Sequence, residues 1–162
     1  MFENKVAYIT GGTKGIGFGI AKILLQNGIN VAITGRKKAD VDHAVSQLSP
    51  DSSKVLGIVS DVRNFEEEVQ AVSAIKNHFG RLDYVIANAG LGVFKSVDEL
   101  SVEDWNDMIG TNLSGLFYTL KASMEELKKS EGYFISISSL AGTNFFEKGS
   151  GYNASKFGAV GF

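Results

Sequence analysis

Cysteine is absent from the chain, and proline occurs once. Without thiols there is neither a disulfide framework nor a thiolate metal site, and no direct mark of a redox compartment. The one proline, Pro50, is expected between the second helix and the third strand. Charge is nowhere concentrated: Lys and Arg number 16 against 18 Asp and Glu, for a net charge of −2. The longest runs are Lys37-Lys38 and Glu66-Glu67-Glu68. A basic footprint is missing, so neither nucleic acid nor an anionic membrane is expected as a partner. No apolar run approaches the roughly 20 residues that span a bilayer. The amino-terminal stretch MFENKVAYIT contains an acid and no apolar segment long enough for a signal peptide, which makes a cytoplasmic protein the expectation. Asn112-Leu113-Ser114 and Asn153-Ala154-Ser155 fit the glycosylation triplet but are expected unmodified, since nothing directs the chain into a secretory route.

What is present is enough for one globular domain over residues 1–162, with 44% hydrophobic residues to build a core. Five short runs read as strands: 6–10, 30–34, 54–59, 84–88 and 133–138. They are almost continuously apolar, as strands buried on both faces are in a helix-covered parallel sheet. Amphipathic helical patterns lie between them. After Asn64, with Glu67 three residues on as a capping box, Val69, Val72, Ile75 and Phe79 mark one face, and Gly80 is the stop signal. A longer helix begins near Ser101, carries Trp105, Met108, Ile109, Leu113, Leu116, Phe117 and Leu120, and is expected to end before Lys128. Strand and helix alternate throughout, which predicts an α/β fold with a doubly wound parallel sheet and helices on both faces.

Two local features point to chemistry. The first strand runs into Thr10-Gly11-Gly12-Thr13-Lys14-Gly15-Ile16-Gly17 just where a helix starts. Glycine there permits a tight turn with positive φ and lets a phosphate approach the backbone, while the helix N-terminus offers unpaired N–H groups. Glycines also end helices and loosen loops, so the cluster alone is weak evidence. The second feature is Tyr152 and Lys156, one turn apart on one face of a helix that starts near the end of the chain. Alone, this pair equally describes a half-buried aromatic ring with a lysine stem lying over it. Phe157, Val160 and Phe162 on the same helix are apolar and need a cover, from another chain or from residues beyond 162.

Together with Asp61-Val62 after the third strand, Asn88-Ala89-Gly90 after the fourth, Asn112 in the long helix and ISISSLAG at 135–142, these features resemble the short-chain dehydrogenase/reductase family in order and along the whole chain. The resemblance implies a Rossmann-type fold and hydride transfer between a nicotinamide cofactor and a carbonyl or alcohol. It implies that Tyr152 is the general acid/base and that Lys156 favours the phenolate and bonds the nicotinamide ribose. Ser139, thirteen residues before the tyrosine, would hold the substrate oxygen, with Ser138 as a structural neighbour. Asn112 would join a proton relay through water to the lysine. Gly11, Thr13, Lys14, Gly15, Ile16 and Gly17 would hold pyrophosphate, Asp61 and Val62 the adenine, and Asn88, Ala89 and Gly90 would pass the cofactor with their backbone. Residue by residue, a solvent-facing role for Asn112 and a plain turn role for Asp61 remain open at this stage.

The cofactor is expected to be NADP(H) over NAD(H), because Gly35-Arg36 follows the second strand without an acid and Lys14 stands in the glycine turn. Arg36 to Lys38 also fit a solvated loop. No metal is expected: His43 and His78 are far apart with no second ligand spaced for zinc, and no G-x-S-x-G elbow marks an acyl-transfer serine. Members of the family are longer, and the resemblance covers their first part, so the fold is expected to lack the C-terminal strands and the substrate loop. A reductase with intact catalytic residues, a catalytically silent dinucleotide-binding module, and an epimerase or dehydratase on the same scaffold are the three open readings. A small-molecule carbonyl or alcohol is the expected substrate, and a homodimer or homotetramer the expected assembly.

Overall fold

A computed structural model describes residues 4–49, 51 and 53–162. Pro50 and the first three residues of the amino-terminal stretch lie outside the described residues. The strands β1 (Val6–Ile9), β2 (Asn30–Gly35), β3 (Val55–Val59), β4 (Tyr84–Ala87) and β5 (Tyr133–Ser136) form one sheet in the order β3-β2-β1-β4-β5. Every pairing is parallel. The order reverses between β1 and β4, which opens a crevice at the carboxyl ends of those two strands. The helices are α1 (Gly15–Gln26), α2 (Lys38–Leu48), α3 (Phe65–Phe79), α4 (Val102–Ile109), α5 (Gly115–Ser130) and α6 (Ser150–Gly161). None of the described helices is long and apolar enough to cross a membrane.

The two-residue period of β1 divides the core into two layers. Ala7 and Ile9 face one layer with Val31, Ile33, Ala21 and Ala44, beneath α1 and α2. Val6 and Tyr8 face the other with Ala71, Val72, Ile75 and Leu127, beneath α3 and α5. Both faces of the strand are therefore apolar, which is why the sequence shows a continuous run. On β5, Tyr133 and Ile135 are exposed, and among the described residues no strand pairs with its outer edge.

Three expectations change. The Asn64 side chain caps α3 by accepting from Glu66 N (3.1 Å) and Glu67 N (3.3 Å), and Gly80 ends it at φ +77°. The buried face, however, is Glu68, Ala71, Val72 and Ile75, whereas Val69 is 45% exposed. One helical step of about 100° separates Val69 from Glu68, and the polar residue takes the inner position. The long helix near Ser101 is not continuous: a π turn at Gly110–Ser114 separates α4 from α5. It also runs past Lys128 to Ser130, where Lys128 and Lys129 complement the negative end of the dipole. There Lys129 pairs with Glu125 and Glu126, and Glu131 turns left-handed at φ +52°.

At the opposite end of the sheet from the crevice, Asp83 ties the strands together. Its buried carboxylate accepts from Lys5 Nζ (2.8 Å), Val6 N (2.9 Å) and Arg81 Nε (2.8 Å), and its carbonyl accepts from Tyr133 N (2.9 Å). Burial opposes ionisation, but the hydrogen bonds from Arg81, Lys5 and Val6 outweigh it and hold the carboxyl below its usual range. A carboxyl so lowered stabilises the fold above its unfolded pKa of about 4, and that contribution is lost as pH falls through its own lower value. Asp83→Asn is therefore expected to cost about 2 kcal/mol at pH 7 in urea unfolding, with the difference from wild type shrinking on acidification. A pH-independent difference would remove the charge from this explanation.

Candidate active site at the sheet crevice

The glycine turn between β1 and α1 is held by β4. The Thr10 hydroxyl accepts from Asn88 N and Ala89 N, both at 3.0 Å. In return, Asn88 Nδ2 donates to Thr10 O (2.9 Å) and Gly11 O (3.1 Å). Gly11 and Gly15 have φ of +63° and +57°, where a side chain would be strained. Gly17 is a glycine for a different reason: a Cβ there would lie 2.5 Å from Asn88 Nδ2 and 2.7 Å from Gly11 O. Lys14 precedes α1 in an extended conformation and makes no capping side-chain bond. The first-turn N–H groups of α1 thus carry the positive end of the helix dipole without a side-chain acceptor.

In front of this turn lies a cleft of about 470 Å³. Gly11, Thr13, Lys14, Gly15, Ile16, Arg36, Asp61, Val62, Asn88, Ala89 and Gly90 all line it, and Gly17 sits behind the turn. Lys37, Thr34, Ser60 and Thr111 line it as well, and so does Asp40, the acid that the linear reading did not place here. Asp40 stands five residues past Gly35, on the first turn of α2, and its only signal in the sequence is that it is the acid nearest after Gly35 at a helix start. Asp61 does two things. It forms a turn by accepting from Arg63 N (3.0 Å), and it accepts from the Arg63 guanidinium, with Nη2 at 2.7 Å. These bonds from Arg63 hold its carboxyl below the usual range. Arg63 also pairs with Asp107 on α4.

At the inner end, α6 presents Tyr152 and Lys156. Lys156 is 6% exposed, its Nζ donates to Ile137 O at 2.9 Å, and it lies 5.9 Å from the centre of the Tyr152 ring. Burial lowers its ammonium pKa. Tyr152 is half-buried, and its ring packs against Phe94 with 5.4 Å between centres. Asn112, inside the π turn, is 4% exposed and so not a solvent-facing amide. Its Oδ1 accepts from Leu91 N (2.9 Å), and its Nδ2 donates to Leu91 O (2.8 Å) and Ser155 Oγ (2.9 Å). Ser155 Oγ in turn donates to Tyr152 O at 2.7 Å. Asn112 thereby joins the loop after Gly90 to α6, and Ser155 is a member of the site that the motif reading passed over. Asn112 and Lys156 also line a small cavity of about 10 Å³.

Ser139 caps a 3₁₀ turn, Leu140–Gly142, by accepting from Ala141 N at 3.1 Å. That turn packs on α6, with Gly142 so close that a Cβ would lie 2.8 Å from Lys156 O. The buried Ser138 hydroxyl has no hydrogen-bond partner among the described residues. His43 and His78 are both exposed, on α2 and α3. Among the described residues no group of three or more His, Cys, Asp or Glu is arranged to hold a metal.

Comparison with known proteins agrees with this geometry. The sequence profile described as short chain dehydrogenase matches residues 5–162. An uncharacterized oxidoreductase of Staphylococcus aureus strain MW2 is 35% identical over 157 residues, which is 96% of this chain and 67% of that protein. An uncharacterized oxidoreductase of Staphylococcus saprophyticus is 33% identical over 156 residues, again 67% of its length. Among solved structures, an alcohol dehydrogenase from the archaeon Thermococcus sibiricus, complexed with 5-hydroxy-NADP, superposes with a TM-score of 0.92 at 34% identity. The match covers 97% of this chain and 67% of that one. A variant of actinorhodin polyketide ketoreductase with NADPH gives a TM-score of 0.92 at 31% identity, covering 100% of this chain and 64% of that one. The chain spans about two thirds of the length of these relatives.

The close packing at Gly17 yields a test whose sign is informative. Inside a helix, Gly→Ala ordinarily stabilises by about 1 kcal/mol. Here the clash with Asn88 and the Gly11 carbonyl, worth about 1–3 kcal/mol as overpacking, is expected to win. Gly17→Ala should lower the thermal midpoint, and a midpoint equal to or above wild type would show that the turn is not packed as described.

Proposed function

The chain belongs to the short chain dehydrogenase family, and on that footing we propose that it is an NADP(H)-dependent oxidoreductase acting on a small-molecule carbonyl or alcohol. The observation that carries the reading is the Lys156 ammonium, buried and anchored to Ile137 O, one turn from Tyr152 at the inner end of the cleft. A buried cation held by one carbonyl is costly unless it has a further use. The glycine turn fits a dinucleotide: Gly11 and Gly15 open the backbone, Gly17 lets α1 close on Asn88, and the first turn of α1 faces the cleft with uncapped N–H groups.

When bound, the cofactor supplies or accepts the hydride. The chain's own groups handle the proton and the positions. Tyr152 gives its hydroxyl proton to the substrate oxygen in reduction and takes one in oxidation. Ser139 holds that oxygen. Lys156 keeps positive charge beside the phenol ring and bonds the nicotinamide ribose. Asn112 fixes the Leu91 backbone and, through Ser155, the carbonyl of Tyr152, so that α6 and the cofactor-side loop move together. The 10 Å³ cavity between Asn112 and Lys156 has about the volume that one water needs, which supports a relay along that line. Asp61 and Val62 take the adenine.

Three basic groups at the outer cleft, Lys14, Arg36 and Lys37, outnumber the two carboxylates that line it, Asp40 and Asp61, of which Asp61 is already paired with Arg63, and this balance supports a 2′-phosphate. Residues 1–162 form a single nucleotide-binding domain in this reading. The exposed Phe117 on α5, Phe157 on α6 and Phe162 just after α6 are the surface for a homodimer or homotetramer.

Tyr152→Phe is expected to leave the NADPH dissociation constant within about twofold of wild type while lowering kcat by at least about 10²-fold, the usual worth of a general acid. Unchanged turnover would take Tyr152 out of the mechanism, and NADPH binding without turnover in wild type would favour a silent binding module. Separately, NADPH should bind at least about tenfold tighter than NADH, with Arg36→Leu removing most of the difference, since a charge-assisted hydrogen bond contributes roughly 1.5–3 kcal/mol. A tenfold preference for NADH would reverse the cofactor assignment.

A further inference from the structure

The proton and hydride chemistry makes no use of Glu68, which is fully buried on α3 among Ala71, Val72 and Ile75. A carboxyl in that layer is expensive unless each oxygen is bonded. Three hydroxyls from three different elements serve it. Tyr8 Oη on β1 lies 3.0 Å from both oxygens, Ser60 Oγ donates to Oε1 at 2.9 Å, and Thr119 Oγ1 on α5 lies 2.9 Å from Oε2. Thr119 Oγ1 is also 2.8 Å from Gly115 O, so its one proton is shared between the two acceptors.

The direction of these bonds matters. Ser60 follows β3 directly and lines the cleft together with Asp61 and Val62. The next N–H along, that of Asp61, donates to Glu67 Oε2 at 2.8 Å. Consecutive glutamates on the first turn of α3 therefore hold consecutive residues of the cleft wall, one through the Asp61 backbone and the other through the Ser60 side chain. Val62 is wedged from behind by Gly115, where a Cβ would lie 2.7 Å from its Cγ2, and Thr119 stands one turn further along α5. Glu68 is thus the buried point at which the wall, β1 and α5 are tied together.

We propose that Glu68 is a positioning residue for the adenosine end of the cleft, acting through Ser60 to set how tightly the 60–62 wall receives that half of the cofactor. The inference rests on the reading that the cleft takes NADP(H). A side chain that only filled the core would govern stability alone; one that positions the wall also governs affinity for the adenosine half.

Calorimetric titration with adenosine 2′,5′-bisphosphate separates these cases without any turnover. Glu68→Val leaves Ser60 and Tyr8 without this acceptor, while Thr119 keeps only Gly115 O, and should weaken binding about tenfold. Glu68→Gln should stay within about threefold of wild type. Its Oε1 still accepts from Ser60 and Tyr8, while its amide can donate to Thr119 once that hydroxyl turns to Gly115 O. Ser60→Ala, which cuts only the link to the wall, should weaken binding about fivefold and keeps the test decisive if the valine variant does not fold. Wild-type affinity in both Glu68→Val and Ser60→Ala, or the same loss in Glu68→Gln as in Glu68→Val, would overturn the proposal. Failure of the wild-type chain to bind the bisphosphate would instead defeat the dinucleotide reading on which it rests.

Discussion

The site depends on the exchange of hydrogen bonds between Thr10 and Asn88 across the carboxyl ends of β1 and β4. Two N–H groups donate to one threonine hydroxyl, and one asparagine amide donates to two carbonyls of the glycine turn. The crevice exists because the strand order reverses between these two strands. Without this tie, the turn between β1 and α1 would keep its bond from Gly12 N to Thr34 O on β2 (3.0 Å) but lose its side-chain hold on the β4 side.

From that tie a chain of bonds runs inward. β4 leads through Ala89 and Gly90 to Leu91, whose backbone is gripped by Asn112, and Asn112 passes through Ser155 to the carbonyl of Tyr152. The bonded groups at Leu91, Asn112, Ser155 and Tyr152 are buried or half-buried, so each lost bond would leave an unpaired polar atom, at a cost of about 1–3 kcal/mol. The π turn that carries Asn112 is what lets an asparagine in an apolar helix reach two separate segments. The glycine-turn end of the cleft and the tyrosine are therefore parts of one bonded framework.

Much of this was legible in the sequence. The strands show as continuous apolar runs because both layers of the core touch them, and the glycine spacing reports a turn that β-carbons would block. The remainder depends on contacts between segments distant in the chain. Nothing near residue 112 indicates a π turn, and the partners of its Asn112 side chain lie 21 residues before it and 43 after it. Val69 matches an apolar helical face as well as its neighbours do, and only the three hydroxyls around Glu68 explain why the acid faces inward. Asn88 is expected to pass the cofactor with its backbone, and its side chain makes the tie as well, because its partners are the Thr10 and Gly11 carbonyls of the turn after β1. Asp40 reaches the cleft only because α2 folds back over β2.

The central claim is that the crevice receives a dinucleotide with its phosphates on the first turn of α1 and its reactive ring beside Tyr152. A crystal structure of the chain with NADP+ tests it most directly. The expected result places pyrophosphate oxygens within hydrogen-bonding distance of the Gly15–Gly17 backbone and the nicotinamide against the Tyr152 hydroxyl. Phosphates bound elsewhere, or a Tyr152 hydroxyl turned away from the ring with Lys156 released from Ile137, would contradict it.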